Sequence, residues 1–272
     1  MTAAKIARPP KSPAFAAFAA QQTQVNEFLW SSELSYTLVE RLVLTPERRA
    51  GDRGVHEVFA SLTPRPHAFV PPSKARQPSP AGKAPRRTVK YDVPVSRFEL
   101  HLKADFEALC RYVIIRFHSA LEHFLWARGA PFLGLDALSA RDARQRRKQY
   151  QETPYQNWQP AVERWTGLTL RQAILRDGAL LAQAHRMVRN AIVHKETDWH
   201  RPWSDTALRG AVETAFGDAD CQVIKDQLCD PVQQRFGHRK DVPMLFFYAL
   251  FSLTSYRRFA EQVEAALPPP PG

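Results

Sequence analysis

The stretch Arg97–Arg128, RFELHLKADFEALCRYVIIRFHSALEHFLWAR, decides how the fold is read. Within it Phe98, Leu102, Phe106, Leu109, Val113, Phe117, Leu121 and Phe124 follow one another by three or four residues. An α-helix turns about 100° per residue, so side chains three and four apart line up as one stripe. A half-buried strand would instead alternate at every second position, and that pattern is almost absent. The spacing predicts one long helix, ended by Gly129 and Pro131.

The same period extends in both directions. Ala14–Leu44 carries Phe18, Val25, Phe28 or Leu29, Leu34, Leu38 and Leu42 at roughly helical spacing before Pro46 stops the run, and a shorter amphipathic piece covers Val55–Leu62. Residues 137–149 are polar and basic but compatible with a helix, and Pro154 breaks them. Trp158, Val162 and Trp165 predict one or two further turns ending at Gly167. Thr169 reads as the N-cap of a helix running to about Glu196, with Ile174, Leu181, Ala184, Val188, Ala191 and Ile192 as its apolar stripe. A helix over 205–216 follows Pro202, then a connector without clear pattern. Last comes Val242–Leu267, whose first half is apolar nearly all round, as the central helix of a bundle would be.

These elements predict an all-α architecture, a four- or five-helix bundle over residues 97–267. Residues 1–62 form an N-terminal helical extension and residues 268–272 a frayed tail. Residues 63–96 read as a Pro/Arg-rich tether: 63–92 hold seven prolines and seven basic residues against the single acid Asp92. Prolines remove backbone donors and like charges repel, so such a segment cannot bury a core.

Composition narrows the functional classes. The chain has 272 residues, 44% of them hydrophobic, which is enough for a packed interior. Its longest apolar run, Val242–Thr254, falls short of the roughly 20 residues that cross a bilayer, so no membrane partner is expected. Lys5, Arg8 and Lys11 precede Phe15–Ala20 as in a faint signal peptide, but Pro9, Pro10, Pro13 and three glutamines interrupt it. Three cysteines without a C-x-x-C pair argue against a disulfide framework or a cysteine zinc site, and point to a reducing, cytoplasmic setting. The net charge of +11 points to a polyanionic partner, with nucleic acid first. The excess charge sits disproportionately in the first third, where residues 1–96 carry 14 Lys/Arg against 7 Asp/Glu.

One segment, Arg186–Glu196, RMVRNAIVHKE, combines residue types that do chemistry on phosphate. On a helix Arg186, Asn190 and His194 are i, i+4 and i+8 and form one polar ridge, on which the Asn190 amide is placed to bond the His194 ring. Arg189 lies five before His194, about 140° away round the helix. One helix hardly brings both onto a single substrate atom, whereas two copies packed antiparallel would. The spacing therefore favours a site built across a symmetric homodimer.

Arg189-Asn190-x-x-x-His194, late in a bundle helix, resembles the R-N-x-x-x-H signature of the HEPN superfamily, and the resemblance covers roughly residues 97–265. It implies an all-α, metal-independent endoribonuclease of the kind found in toxin–antitoxin, abortive-infection and CRISPR systems, with no cofactor. Arg189 and His194 from both protomers would be catalytic and Asn190 supportive. The RNA 2′-hydroxyl would attack its own phosphate, leaving 2′,3′-cyclic phosphate and 5′-hydroxyl ends. Imidazole moves protons near neutral pH, and guanidinium grips phosphate oxygens with a planar fork. A neutralising antitoxin or another defence component is the further partner implied. The alternative is a catalytically silent helical module, an antitoxin or scaffold, that binds RNA or another protein.

Around the motif, Arg186 and Lys195 are candidates for holding RNA. So are Arg144, Arg146, Arg147 and Lys148, which precede Tyr150, Tyr155 and Trp158 and combine charge with aromatic planes. His118 and Glu122, at i and i+4 beside His123, read as a polar layer, a partner of the motif or a metal pair. No metal site is assigned. Phosphate-loop, dinucleotide, zincin and serine-hydrolase signatures are absent.

Overall fold

The computed structural model describes residues 11–45, 47, 95–194, 210, 212–230 and 244–269. Every regular element among them is helical: α1 (Pro13–Val43), α2 (Val95–Gly129), α3 (Ala140–Glu152), α4 (Trp158–Thr166), α5 (Arg176–His194), α6 (Asp218–Ile224) and α7 (Met244–Ala266), with short 3-10 turns around α3. The fold is all-α, as the periodicity predicts. The tether over 63–92, the Val55–Leu62 piece and most of the 205–216 helix lie outside the described residues.

Helix boundaries follow local chemistry. Ser12 caps α1, its hydroxyl accepting from the Phe15 amide at 3.2 Å, with Pro13 at the first helical position. Ser139 caps α3 by accepting from the Asp142 amide at 3.2 Å, and Asp142 adds negative charge to the first turn. Gly167 ends α4 in the left-handed region at φ 68°.

The expected start of α5 at Thr169 is displaced to Arg176. Residues 167–175 are instead drawn into an irregular connection by partners elsewhere in the chain. The Leu170 amide donates to Glu163 Oε1 at 3.3 Å, the Ile174 amide to Gln159 Oε1 at 2.7 Å, and the Arg171 amide to the Ala266 carbonyl at 3.0 Å. The Ile174 amide, which a helix begun at Thr169 would have given to the Leu170 carbonyl, goes to the Gln159 side chain instead. In turn, the patternless connector after 216 contains α6, which continues through a π-helical turn at Lys225–Cys229.

The chain forms two compact units, Ser31–Phe106 and the remainder, whose limits fall inside α1 and α2. In the smaller unit Tyr36 stacks on Phe106 with centroids 4.6 Å apart, and Leu44 and Val95 pack with Val39, Phe98 and Leu102. In the larger, the N-terminal half of α1 joins the bundle: Phe15 and Phe18 lie 5.7 and 5.2 Å from the Phe124 ring of α2. Phe117, Leu121, Trp158, Leu180, Ala184, Val188, Tyr256, Phe259 and Val263 complete its core. Buried Arg128 donates to Glu264 Oε2 at 2.6 Å and to the Leu267 and Pro268 carbonyls, while the Ser12 amide donates to Glu264 Oε1 at 2.6 Å. One carboxylate thus ties α1, α2 and α7 together.

Candidate active site

Helix α5 buries Leu180, Leu181, Ala184, Val188 and Ile192 against the core, leaving the motif residues on its polar side. Arg189 and Asn190 are half-buried. Arg189 Nη1 donates to Asn190 Oδ1 at 2.9 Å, so within the motif the amide oxygen orients the guanidinium. Arg189 Nε is buried with no hydrogen-bond partner among the described residues. His194 is the last residue of α5; its side chain, and with it the expected Asn190–His194 bond, lies outside the described residues, as does Lys195.

Facing these arginines is a titratable pair on α2. His118 is fully buried, and its Nε2 stands 3.0 Å from Oε1 of the half-exposed Glu122. Burial lowers the His118 pKa; Glu122 acts to raise it, and the Arg189 and Arg186 charges lower it again, for a net downward shift. For Glu122, burial acts upward, but His118 and the two arginines outweigh it and the carboxyl titrates below its usual range. His118 is therefore a neutral imidazole at pH 7 and Glu122 a carboxylate, with both arginine charges close enough to be felt. Of the sequence-level readings of His118 and Glu122, the geometry sets them beside the motif. His123 is exposed, and among the described residues no three His, Cys, Asp or Glu side chains are grouped to hold a metal ion.

Behind the pair lies a layer of rings. Tyr256 of α7 stands 5.7 Å from His118 and 5.8 Å from His185, and Tyr155 stands 6.3 Å from His118. Both tyrosine hydroxyls and both nitrogens of His185 are buried without partners among the described residues. Burial alone pushes the His185 pKa down to about 3, and burial is the largest of the causes that push both tyrosines upward, with the Glu122 charge adding to it and the Arg186 and Arg189 charges opposing it. Sequence reasoning missed His185 and Tyr256, because each sits inside an apolar stripe and gives no local signal.

The candidate RNA-holding residues divide. Arg186 donates from Nη1 to the Thr153 carbonyl at 3.0 Å and from Nη2 to the Gln151 carbonyl at 2.7 Å, and its guanidinium lies 5.0 Å over the Tyr155 ring. It thereby holds the end of α3 against α5. Arg146 turns inward toward the Trp165 and Leu133 carbonyls at 3.4 and 3.5 Å. Arg144, Arg147 and Lys148 remain exposed and line a shallow cleft with Leu135, Asp136 and Gln151. Adjoining it, Leu125, Trp126, Tyr150, Tyr155 and Trp158 enclose a cavity of about 270 Å³, with Glu122 and Gln151 also in its lining. Tyr150, Tyr155 and Trp158, expected beside the basic run, are all buried walls.

Cys110, Cys221 and Cys229 are all buried, and no described helix is long and apolar enough to cross a membrane. Comparisons with protein-family models, curated proteins and solved structures find no match for this chain.

Proposed function

We propose that this chain is a metal-independent endoribonuclease of HEPN type, working as a homodimer in a toxin or phage-defence setting. The observation that carries the reading is the arrangement on α5. Arg189, steered by the Asn190 side chain, is half-buried beside a His118–Glu122 pair on the polar side of a helix whose other side is core. In the reaction, His194 takes the proton of the RNA 2′-hydroxyl as its oxygen bonds to phosphorus. The bond to the 5′-oxygen breaks, and an imidazolium, supplied by the second copy of the chain, returns a proton to that leaving oxygen. Arg189 stabilises the charge that grows on the non-bridging oxygens. The products are a 2′,3′-cyclic phosphate and a 5′-hydroxyl.

The test is cleavage of single-stranded RNA by purified protein in EDTA, with end-group analysis of the products. Arg189→Ala and His194→Ala are each expected to lower the rate at least 100-fold while the helical circular dichroism signal stays intact. Cleavage that disappears on chelation, or survives both substitutions, overturns the reading. A catalytically silent RNA-binding module is the second reading, favoured by the exposed Arg144, Arg147 and Lys148 cleft. It predicts an undiminished biological effect in the Arg189→Ala/His194→Ala double variant.

A further inference from the structure

We infer that the cavity between α2, α3 and α4 is a nucleobase subsite, and that the basic cleft beside it holds the neighbouring phosphates of a single-stranded RNA. This rests on the RNA reading above and adds the place where one base is held. The cavity's volume of about 270 Å³ lies just below the roughly 300–1,000 Å³ of sites for drug-sized ligands, so it suits a single ring system and not a whole nucleotide. Its walls are chiefly flat rings, Trp126, Tyr150, Tyr155 and Trp158. Trp126 is the partly exposed ring among them, and a base stacks on such a face whatever its sequence identity.

Gln151 and Glu122 bring polar groups to the lining. The Gln151 amide supplies a donor and an acceptor, and the Glu122 carboxylate, held in its ionised form, accepts from exocyclic amines.

The charge stands where the backbone of such a strand would run. Arg144, Arg147 and Lys148 are i, i+3 and i+4 on α3 and share one face, with Asp136 as the single acid in the lining of their cleft. Gln151 lines both the cleft and the cavity. The Arg147 guanidinium lies 5.0 Å over the ring of Trp126, itself a cavity wall, so cation and stacking surface are continuous. Only an unpaired base reaches a cavity of this kind, so the occupant is a single strand, and the nuclease reading above makes that strand RNA.

The experiment titrates the full chain carrying His194→Ala, in EDTA, against a fluorescein-labelled 12-mer oligouridylate and an abasic ribose-phosphate 12-mer, read by anisotropy. The base-bearing strand is expected to bind at least ten-fold more tightly. Trp126→Ala removes a wall, and Gln151→Trp, at an exposed position, plugs the mouth. In each variant the base-bearing strand is expected to fall to within two-fold of the abasic strand. Arg144→Ala/Arg147→Ala is expected to weaken both strands and to reduce the slope of log K against log salt by about 1.4. Equal binding of the two strands, or a preference that survives both cavity variants, overturns the subsite. Failure of the nuclease reading is visible separately, as wild-type protein that binds with base preference yet leaves RNA uncut.

Discussion

Burial holds the His118 imidazole of α2 in the neutral form, and the charge of Arg189 on α5 acts in the same direction, against the Glu122 carboxylate 3.0 Å from His118 Nε2. Two residues 71 positions apart in sequence thus share one electrostatic environment, and neither helix alone produces it.

The opposition has a sign that can be measured. Arg189→Ala is expected to raise the His118 pKa, and Glu122→Gln to lower it further. Titration of the His118 ring by NMR in the two variants checks this. Shifts in the same direction would show that the arginine and the carboxylate do not both face the ring.

Stability should fall on the acid side of neutrality. Burial depresses the folded-state pKa of His185 to about 3, against an unfolded value near 6.5. The stabilisation is complete above pH 6.5, where both states are neutral, and is lost as pH falls from there toward 3. The loss is about 1.4 kcal/mol per pH unit for one such group. Glu122 and Glu264, with depressed carboxyl pKa values, add their loss only below about pH 4.5. Urea midpoints between pH 7 and 5 therefore isolate the histidines, and His185→Leu should flatten that part of the profile.

Glu264 should matter far more than its cap partner. Arg128 is 3% exposed and relies on this carboxylate for its neutralising charge. Glu264→Ala leaves that charge buried and is expected to cost about 3–5 kcal/mol in denaturant titration. Ser12→Ala, which removes one helix cap, should cost only about 1 kcal/mol. Comparable losses in the two variants would mean that Arg128 finds another counter-charge.

Gly129 is the point where α2 lets the Tyr150 ring pass. The Tyr150 hydroxyl donates to the Leu125 carbonyl, and a Cβ at position 129 would overlap that hydroxyl and lie 2.8 Å from Cζ. Gly129→Ala is expected to destabilise the protein by about 1–3 kcal/mol through this overpacking, readable as a lower urea midpoint. It should also weaken base-dependent RNA binding, because Tyr150 is a cavity wall.

What sequence alone determined is what a helix records in its own residues. The three-and-four spacing from Phe98 to Phe124 matches α2, Gly167 stops α4 as its freedom at positive φ dictates, and Arg189 and Asn190 fall beside each other on the polar side of α5. Those properties depend on neighbours within two turns, and periodicity reports them. Tertiary structure decided everything set by chain returning to chain. Glu163 and Gln159 moved the start of α5 from Thr169 to Arg176, and backbone carbonyls drew Arg146 and Arg186 inward while Arg144 and Arg147 stayed in solvent. His118 and Glu122 came to face the motif, and Trp126 came to line a cavity with Tyr155. A hydrogen-bond donor carries no mark of which distant acceptor it will meet, so only the packed chain assigns the partners.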